Sequence, residues 1–135
     1  MHKVSILIVD DHKLIRETWS FILGTDPRFE VIADCGDPEL AIELARDLKP
    51  NIVLMDINMG GISGIECIRQ LKPKMPDTYF MIFTVYEDDE SIFKALKAGA
   101  MGYLLKRSSP NQILEAIRDL FNGGSPMSSE IARRV

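Results

Sequence analysis

Val4-Ser5-Ile6-Leu7-Ile8-Val9-Asp10-Asp11 is the stretch that decides the fold of this chain. Six residues, apolar except for Ser5, run directly into two adjacent carboxylates. A strand with one wet face alternates apolar and polar residues. An unbroken apolar run this short marks a strand covered on both faces, as in a parallel sheet between layers of helix. Residues 51–55 (Asn-Ile-Val-Leu-Met) and 79–83 (Tyr-Phe-Met-Ile-Phe) have the same character. Residues 29–33 read as a weaker strand interrupted by Glu30, and residues 101–105 as a fifth.

Between these runs the apolar period changes from continuous to helical. Leu14, Ile15, Thr18, Trp19, Ile22 and Leu23 form one stripe that ends at Gly24. Leu40, Ala41, Leu44, Ala45 and Leu48 form a second, ending before Pro50. Ile65, Ile68 and Leu71 form a third before Pro73, and Ile92, Phe93 and Leu96 a fourth stopped by Gly99. Ile113, Leu114, Ile117, Leu120 and Phe121 form the fifth, closed by Gly123-Gly124. Five strand–helix alternations predict an α/β fold: a five-stranded parallel sheet with helices on both faces.

The bulk numbers are those of one ordinary domain: 135 residues, 46% hydrophobic and 27% charged. A net charge of −4 provides no general attraction to nucleic acid or to an anionic membrane. No apolar run approaches the roughly 20 residues that cross a bilayer. Cys35 and Cys67 stand alone in apolar sequence and read as small buried residues, so a reducing cytoplasm is the expected compartment. With His2 and His12 the only histidines, there is almost no material for a zinc cluster.

In open α/β sheets ligands sit at the carboxyl ends of the strands. Asp10 and Asp11 follow the first run, Asp56 the third, Thr84 the fourth and Lys106 the fifth. Singly each has an ordinary reading: Asp11 as a helix cap, Asp56 as a loop carboxylate, Thr84 as a strand end, Lys106 as a solvated lysine. Together at one rim they suit phosphoryl chemistry. Clustered carboxylates repel one another. A Mg²⁺ ion, which prefers oxygen ligands, relieves that repulsion and neutralises charge on a transferring phosphoryl group. A carboxylate can act as the nucleophile and form an acyl phosphate. Lys106 supplies a point positive charge and Thr84 a hydroxyl donor.

These residues resemble the receiver domains of two-component response regulators over residues 4–121. The motifs that match are Ile8-Val9-Asp10-Asp11-His12, Leu54-Met55-Asp56-Ile57, Thr84, and Ala98-Gly99-Ala100-Met101-Gly102-Tyr103-Leu104-Leu105-Lys106. Gly123-Gly124-Ser125-Pro126 and Ile131-Ala132-Arg133-Arg134 are similar to the NarL/FixJ (LuxR-type) subfamily. The resemblance implies a flavodoxin-like (βα)5 sheet of strand order 2-1-3-4-5. It implies that Asp56 accepts phosphate from a sensor histidine kinase or a small phosphodonor. Asp11, Asp56 and the backbone carbonyl of Asn58 then bind Mg²⁺, with Asp10 acting through water. Thr84 and Lys106 contact the phosphoryl group, and Thr84 and Tyr103 form the switch. It further implies a receiver over residues 3–123 and, over 124–135, the start of a linker toward a helix-turn-helix output domain that is absent from this sequence. Homodimers on activation and DNA binding only through that further domain follow from the same likeness. No enzymatic activity is expected beyond the chain's own phosphorylation and dephosphorylation.

Two departures from the family pattern stand out. Met59 is followed by Gly60-Gly61 where the family usually has proline, which predicts a freer acceptor loop. Val85 follows Thr84 where a small residue is usual, which predicts slower access to Asp56; Asn58 and Tyr86 flank the site and are expected to tune it as well. Other functions fit less well. A phosphatase with an aspartyl-phosphate intermediate needs a second carboxylate where Asn58 stands, and a flavodoxin-like cofactor binder needs a phosphate loop where Asp10-Asp11-His12-Lys13 stands. A receiver-like fold that signals without phosphate is opposed by the intact acceptor constellation.

Overall fold

The computed structural model describes residues 3–127 and 129–135. In chain order the elements are β1 (Val4–Val9), α1 (Lys13–Gly24), β2 (Phe29–Cys35), α2 (Pro38–Leu48), β3 (Ile52–Met55), α3 (Gly64–Leu71), β4 (Tyr79–Thr84), α4 (Asp89–Ala98), β5 (Gly102–Leu105), α5 (Pro110–Phe121) and α6 (Ser129–Ala132). The five strands form one parallel sheet in the order β2-β1-β3-β4-β5, as expected. None of the described helices is long and apolar enough to cross a membrane.

The unbroken apolar strands follow from two cores. Successive side chains of a strand point to opposite faces. Leu7, Val9, Val53, Met55, Phe80, Ile82, Tyr103 and Leu105 face one core with α2, α3 and α4. Ile6, Ile8, Ile52, Leu54, Met81, Phe83 and Leu104 face the other, with Trp19 and Leu23 of α1 and Ile113, Ile117 and Leu120 of α5. Trp19 packs on Phe83 with ring centroids 4.0 Å apart. Four helix starts are fixed by side-chain caps: Asp37, Ser63, Asp88 and Ser109 each accept a backbone N–H of α2, α3, α4 and α5 respectively.

Two details differ from the sequence expectation. β2 continues to Cys35 because its register on β1 slips by one residue between Ile6 and Leu7, which carries pairing on to Val9. Not every residue of the helical stripes faces inward: Leu14 is 74% and Phe93 67% exposed. The segment after Gly124 packs back on the sheet. Ser125 Oγ donates to the Met101 carbonyl at 2.9 Å, and the Tyr103 N–H donates to the Pro126 carbonyl at 3.0 Å. Met127 pairs with Tyr103 as an extra parallel bridge, and Ile131 is wholly buried in the core that contains Tyr103.

Ile131→Ala is therefore expected to lower stability by about 1–3 kcal/mol. That is toward the low end for a buried isoleucine, because a terminal segment can undock locally. Urea unfolding measures the loss, and hydrogen exchange should quicken at the Tyr103 amide, whose partner lies in the same segment. An unchanged unfolding midpoint would mean that this segment adds nothing to the fold.

Candidate functional site

Strand register assembles the site. Val9 pairs with Met55, so Asp10 and Asp56 leave the sheet side by side, and the Asp56 N–H donates to the Val9 carbonyl at 3.0 Å. Thr84 pairs with Leu105, and the Lys106 N–H donates to the Thr84 carbonyl at 2.8 Å. Lys106 reaches back across the strand ends. Its Nζ lies 2.5 Å from Asp10 Oδ2 and 3.2 Å from Asp56 Oδ2. Asp10, Asp56 and Thr84 are all buried.

The acidic pair splits in role. Asp10 Oδ1 accepts the His12 N–H at 2.9 Å, so the turn into α1 is held by Asp10, not by Asp11. The Asp11 carboxylate is left 40% exposed, with His12 Nδ1 2.9 Å from Oδ1. Asp10, Asp11 and His12 place three potential ligand atoms within 4.8 Å of one another. His12, set aside on sequence grounds, thus stands at the edge of the site.

Electrostatics explain the lysine. Burial pushes the Asp56 carboxyl above the usual carboxylate range and the Asp10 charge adds to this, while Lys106 opposes both. Burial alone would depress the Lys106 ammonium. Its bonds to Asp10 and Asp56 outweigh that, and its pKa is raised. Two buried carboxylates thus share one lysine, with the Asp11 carboxylate next in sequence. The donor set is carboxylate oxygen with excess negative charge, which fits a hard divalent cation such as Mg²⁺.

The loops complete the surroundings. Gly64 opens α3 against the residue that follows β3: a Cβ there would lie 1.9 Å from the Asp56 carbonyl oxygen. Gly60 and Gly61 both take positive φ, 76° and 71°. Proline cannot adopt that backbone, so the glycines specify a different turn. Asn58 Nδ2 donates to Tyr86 Oη at 3.1 Å, joining the loop after β3 to the loop after β4. Tyr103 is fully buried, and its hydroxyl donates to the Tyr86 carbonyl at 2.8 Å. The Tyr86 N–H donates to Thr84 Oγ1 at 3.3 Å. Val85 points outward, 66% exposed. Sequence patterning does not single out Arg16, whose Nη1 donates to the Asp10 carbonyl at 2.7 Å; its spacing from the acidic pair matches an ordinary helix-surface residue.

The family model described as "Response regulator receiver domain" matches residues 6–118. The chain belongs to this family. This receiver domain is 37% identical to the transcriptional regulatory protein DegU of Brevibacillus brevis over 99% of the chain and 57% of the relative. It is 37% identical to the response regulator GacA of Pseudomonas aeruginosa over 98% of the chain and 62% of the relative. It therefore spans about three fifths of the length of these curated relatives. The crystal structure of a LuxR-family two-component response regulator from Aurantimonas sp. SI85-9A1 superposes with a TM-score of 0.93 at 33% identity, covering 98% of this chain and 94% of that one. The relatives include NarL/FixJ (LuxR-type) regulators, in agreement with the sequence motifs.

The raised pKa of Asp56 has a consequence for the stability of the receiver. Folded Asp56 holds its proton more tightly than an unfolded aspartate, so stability falls as pH rises above the unfolded value of about 3.9. Asp56→Asn removes that cost. Its unfolding temperature at pH 7 should be a few degrees higher, about 1 kcal/mol corresponding to roughly 3–5 °C for this size. The difference should shrink as pH falls through the raised pKa of folded Asp56 and be gone below about 4, where the carboxyl is protonated in both states. Thermal unfolding followed by circular dichroism at several pH values checks both signs; a less stable variant at pH 7 contradicts the electrostatic account.

Proposed function

We propose that the receiver domain is a phosphorylation switch with Asp56 as the phosphoacceptor. The observation that carries the proposal is Lys106 Nζ bridging Asp56 and Asp10 at a rim that also presents Thr84. An Asp56 carboxylate oxygen attacks phosphorus, and the bond from phosphorus to the donor breaks. The leaving group departs with its electron pair: a kinase histidine nitrogen or the nitrogen of a small donor takes up a proton, whereas a carboxylate leaves as the anion. Lys106 contributes positive charge to the phosphoryl oxygens, and the Thr84 hydroxyl donates to one of them. Asp11, Asp56 and the Asn58 backbone carbonyl would hold Mg²⁺, with Asp10 acting through water. That ion supplies neutralisation of the charge developing on the phosphoryl group.

Thr84 and Tyr103 form the proposed switch. Tyr86 links them through its N–H to Thr84 Oγ1 and its carbonyl to the Tyr103 hydroxyl, so a shift of Thr84 changes the anchor of Tyr103. The names of relatives such as DegU support an output in transcription control. We take that output to be a DNA-binding domain beyond residues 124–135, with a sensor histidine kinase upstream in the cytoplasm and homodimerisation on activation. Residues 3–123 constitute the receiver in this reading.

Incubation with phosphoramidate or acetyl phosphate and Mg²⁺ should add one phosphate by intact mass. Asp56→Asn and removal of Mg²⁺ should each abolish the addition. A wild-type chain that gains no mass with either donor or with a histidine kinase would refute the proposal.

The Asn58–Tyr86 bond and Val85 stand at the entrance for donor and water. Tyr86→Phe removes the acceptor of a hydrogen bond of about 0.5–1 kcal/mol, and hydrolysis of phospho-Asp56 should accelerate about two- to fivefold. Val85→Ala should raise both phosphorylation and dephosphorylation rates. Rates equal to wild type, measured by the decay of the phosphorylated mass, would remove these residues from control of the site.

A further inference from the structure

Behind the acidic pair lies a cation with no part in the switch as described. The Arg16 side chain on α1 is only 17% exposed. Its Nε donates to Asp34 Oδ1 on β2 at 2.7 Å, and its Nη1 donates to the Asp10 carbonyl at 2.7 Å. Gly36, just past β2, is shaped to this guanidinium. A Cβ at residue 36 would lie 2.8 Å from Arg16 Nη1 and 3.2 Å from both the Asp10 carbonyl oxygen and Asp11 Cα. One planar fork therefore joins α1, β2 and the end of β1, in a space that a larger residue 36 would close.

Fastening α1 to the sheet does not need this arrangement. Trp19 and Leu23 already bury that helix in the core it shares with α5. What Arg16 alone provides is the second of two fixed points on the Asp10 backbone. The Asp10 N–H donates to the Cys35 carbonyl at 3.0 Å, and the Asp10 carbonyl accepts from Arg16. The Arg16 bond orients the peptide between Asp10 and Asp11, and the Cys35 bond holds the peptide before it, so the backbone is fixed on both sides of Asp10. The Asp11 backbone begins at that peptide and its half-exposed carboxylate has His12 Nδ1 beside it, so the peptide and His12 together set its direction.

We propose that Arg16 is a positioning residue for the cation site, holding the Asp10 carbonyl so that Asp11 is aimed at the ion. The inference rests on the reading of Asp11 as a ligand. Outer-shell groups act this way elsewhere: they fix the orientation of a ligand they never replace, and their loss weakens metal binding about 10- to 100-fold.

The test is titration of the ¹⁵N-labelled chain with MgCl₂, following the amide shifts of Asp11, Asp56 and Asn58, beside thermal unfolding without Mg²⁺. Arg16→Met should stay folded and bind Mg²⁺ about tenfold more weakly. Arg16→Lys, which keeps the charge but lacks the planar fork that spans Asp34 and the Asp10 carbonyl, should fall between. Asp34→Asn removes the charge from the tie to β2 and so weakens it, but keeps the bond to Asp10; it should unfold at lower temperature with a Mg²⁺ affinity within twofold of wild type. A folded Arg16→Met with wild-type affinity overturns the proposal, as does equal weakening in Asp34→Asn, which would move the effect from the Asp10 carbonyl to β2. Where Arg16→Met does not fold, Arg16→Lys decides by the same rule. A wild-type chain whose site amides do not respond to Mg²⁺ at all counts against the cation reading itself, which is a separate outcome.

Discussion

The structure turns on one ammonium group placed between two buried carboxylates. Removing charges from water is expensive, and a buried ion is tolerated only with partners. Lys106 supplies the partner for Asp10 and Asp56 together, at 2.5 Å and 3.2 Å. It does not balance them, and Asp56 stays above the usual carboxylate range. The residual negative charge sits where a cation or a phosphoryl group would meet it. Local stability is thus given up at the point where the chemistry is proposed, as happens at many functional sites.

Such a cluster requires a particular sheet. Asp10, Asp56, Thr84 and Lys106 are separated by up to 96 residues in sequence, and each follows or ends a different strand. Parallel strands all end at the same rim, whereas antiparallel neighbours would alternate ends. The order β2-β1-β3-β4-β5 puts β1 and β3 side by side, and the register Val9 to Met55 makes Asp10 and Asp56 adjacent. Both faces must be covered for this, which is why the strands carry so few polar residues.

Because of that geometry, much of the site could be read from the sequence. An apolar run followed by a carboxylate, hydroxyl or ammonium is visible residue by residue, and the parallel fold converts four such endings into one place. What stayed hidden depends on distances between loops. Gly60-Gly61 could be seen as flexible, but not as two consecutive positive-φ residues. Asn58 and Tyr86 could be placed near the site, but their hydrogen bond spans 28 residues. The one-residue slip of β2 on β1 leaves no mark on composition. Leu14 and Phe93 fit helical stripes although they face solvent, because a period of 3.6 tolerates residues at the edge of the apolar arc. Arg16 was the least visible, since its partners are a carbonyl of one strand end and a carboxylate of another.

The same distances connect the rim to the outer edge of the sheet. Thr84 Oγ1 accepts the Tyr86 N–H, the Tyr86 carbonyl accepts the Tyr103 hydroxyl, and the Tyr103 N–H donates to the Pro126 carbonyl. The chain of bonds runs from the acceptor site, under the loop after β4, to the segment that seals β5. Its weakest member is the first, at 3.3 Å, which is also the one nearest Asp56. A path of this kind couples two places only if it has two arrangements that both places bias, and the coupling is then reciprocal. Under the proposed switch, a rearrangement of Thr84 would act on the packing of residues 125–127, and a pull on those residues would act back on Thr84. The buried Tyr103 would be the hinge of that exchange, since its ring lies in the core, its hydroxyl on one loop and its backbone on the terminal segment.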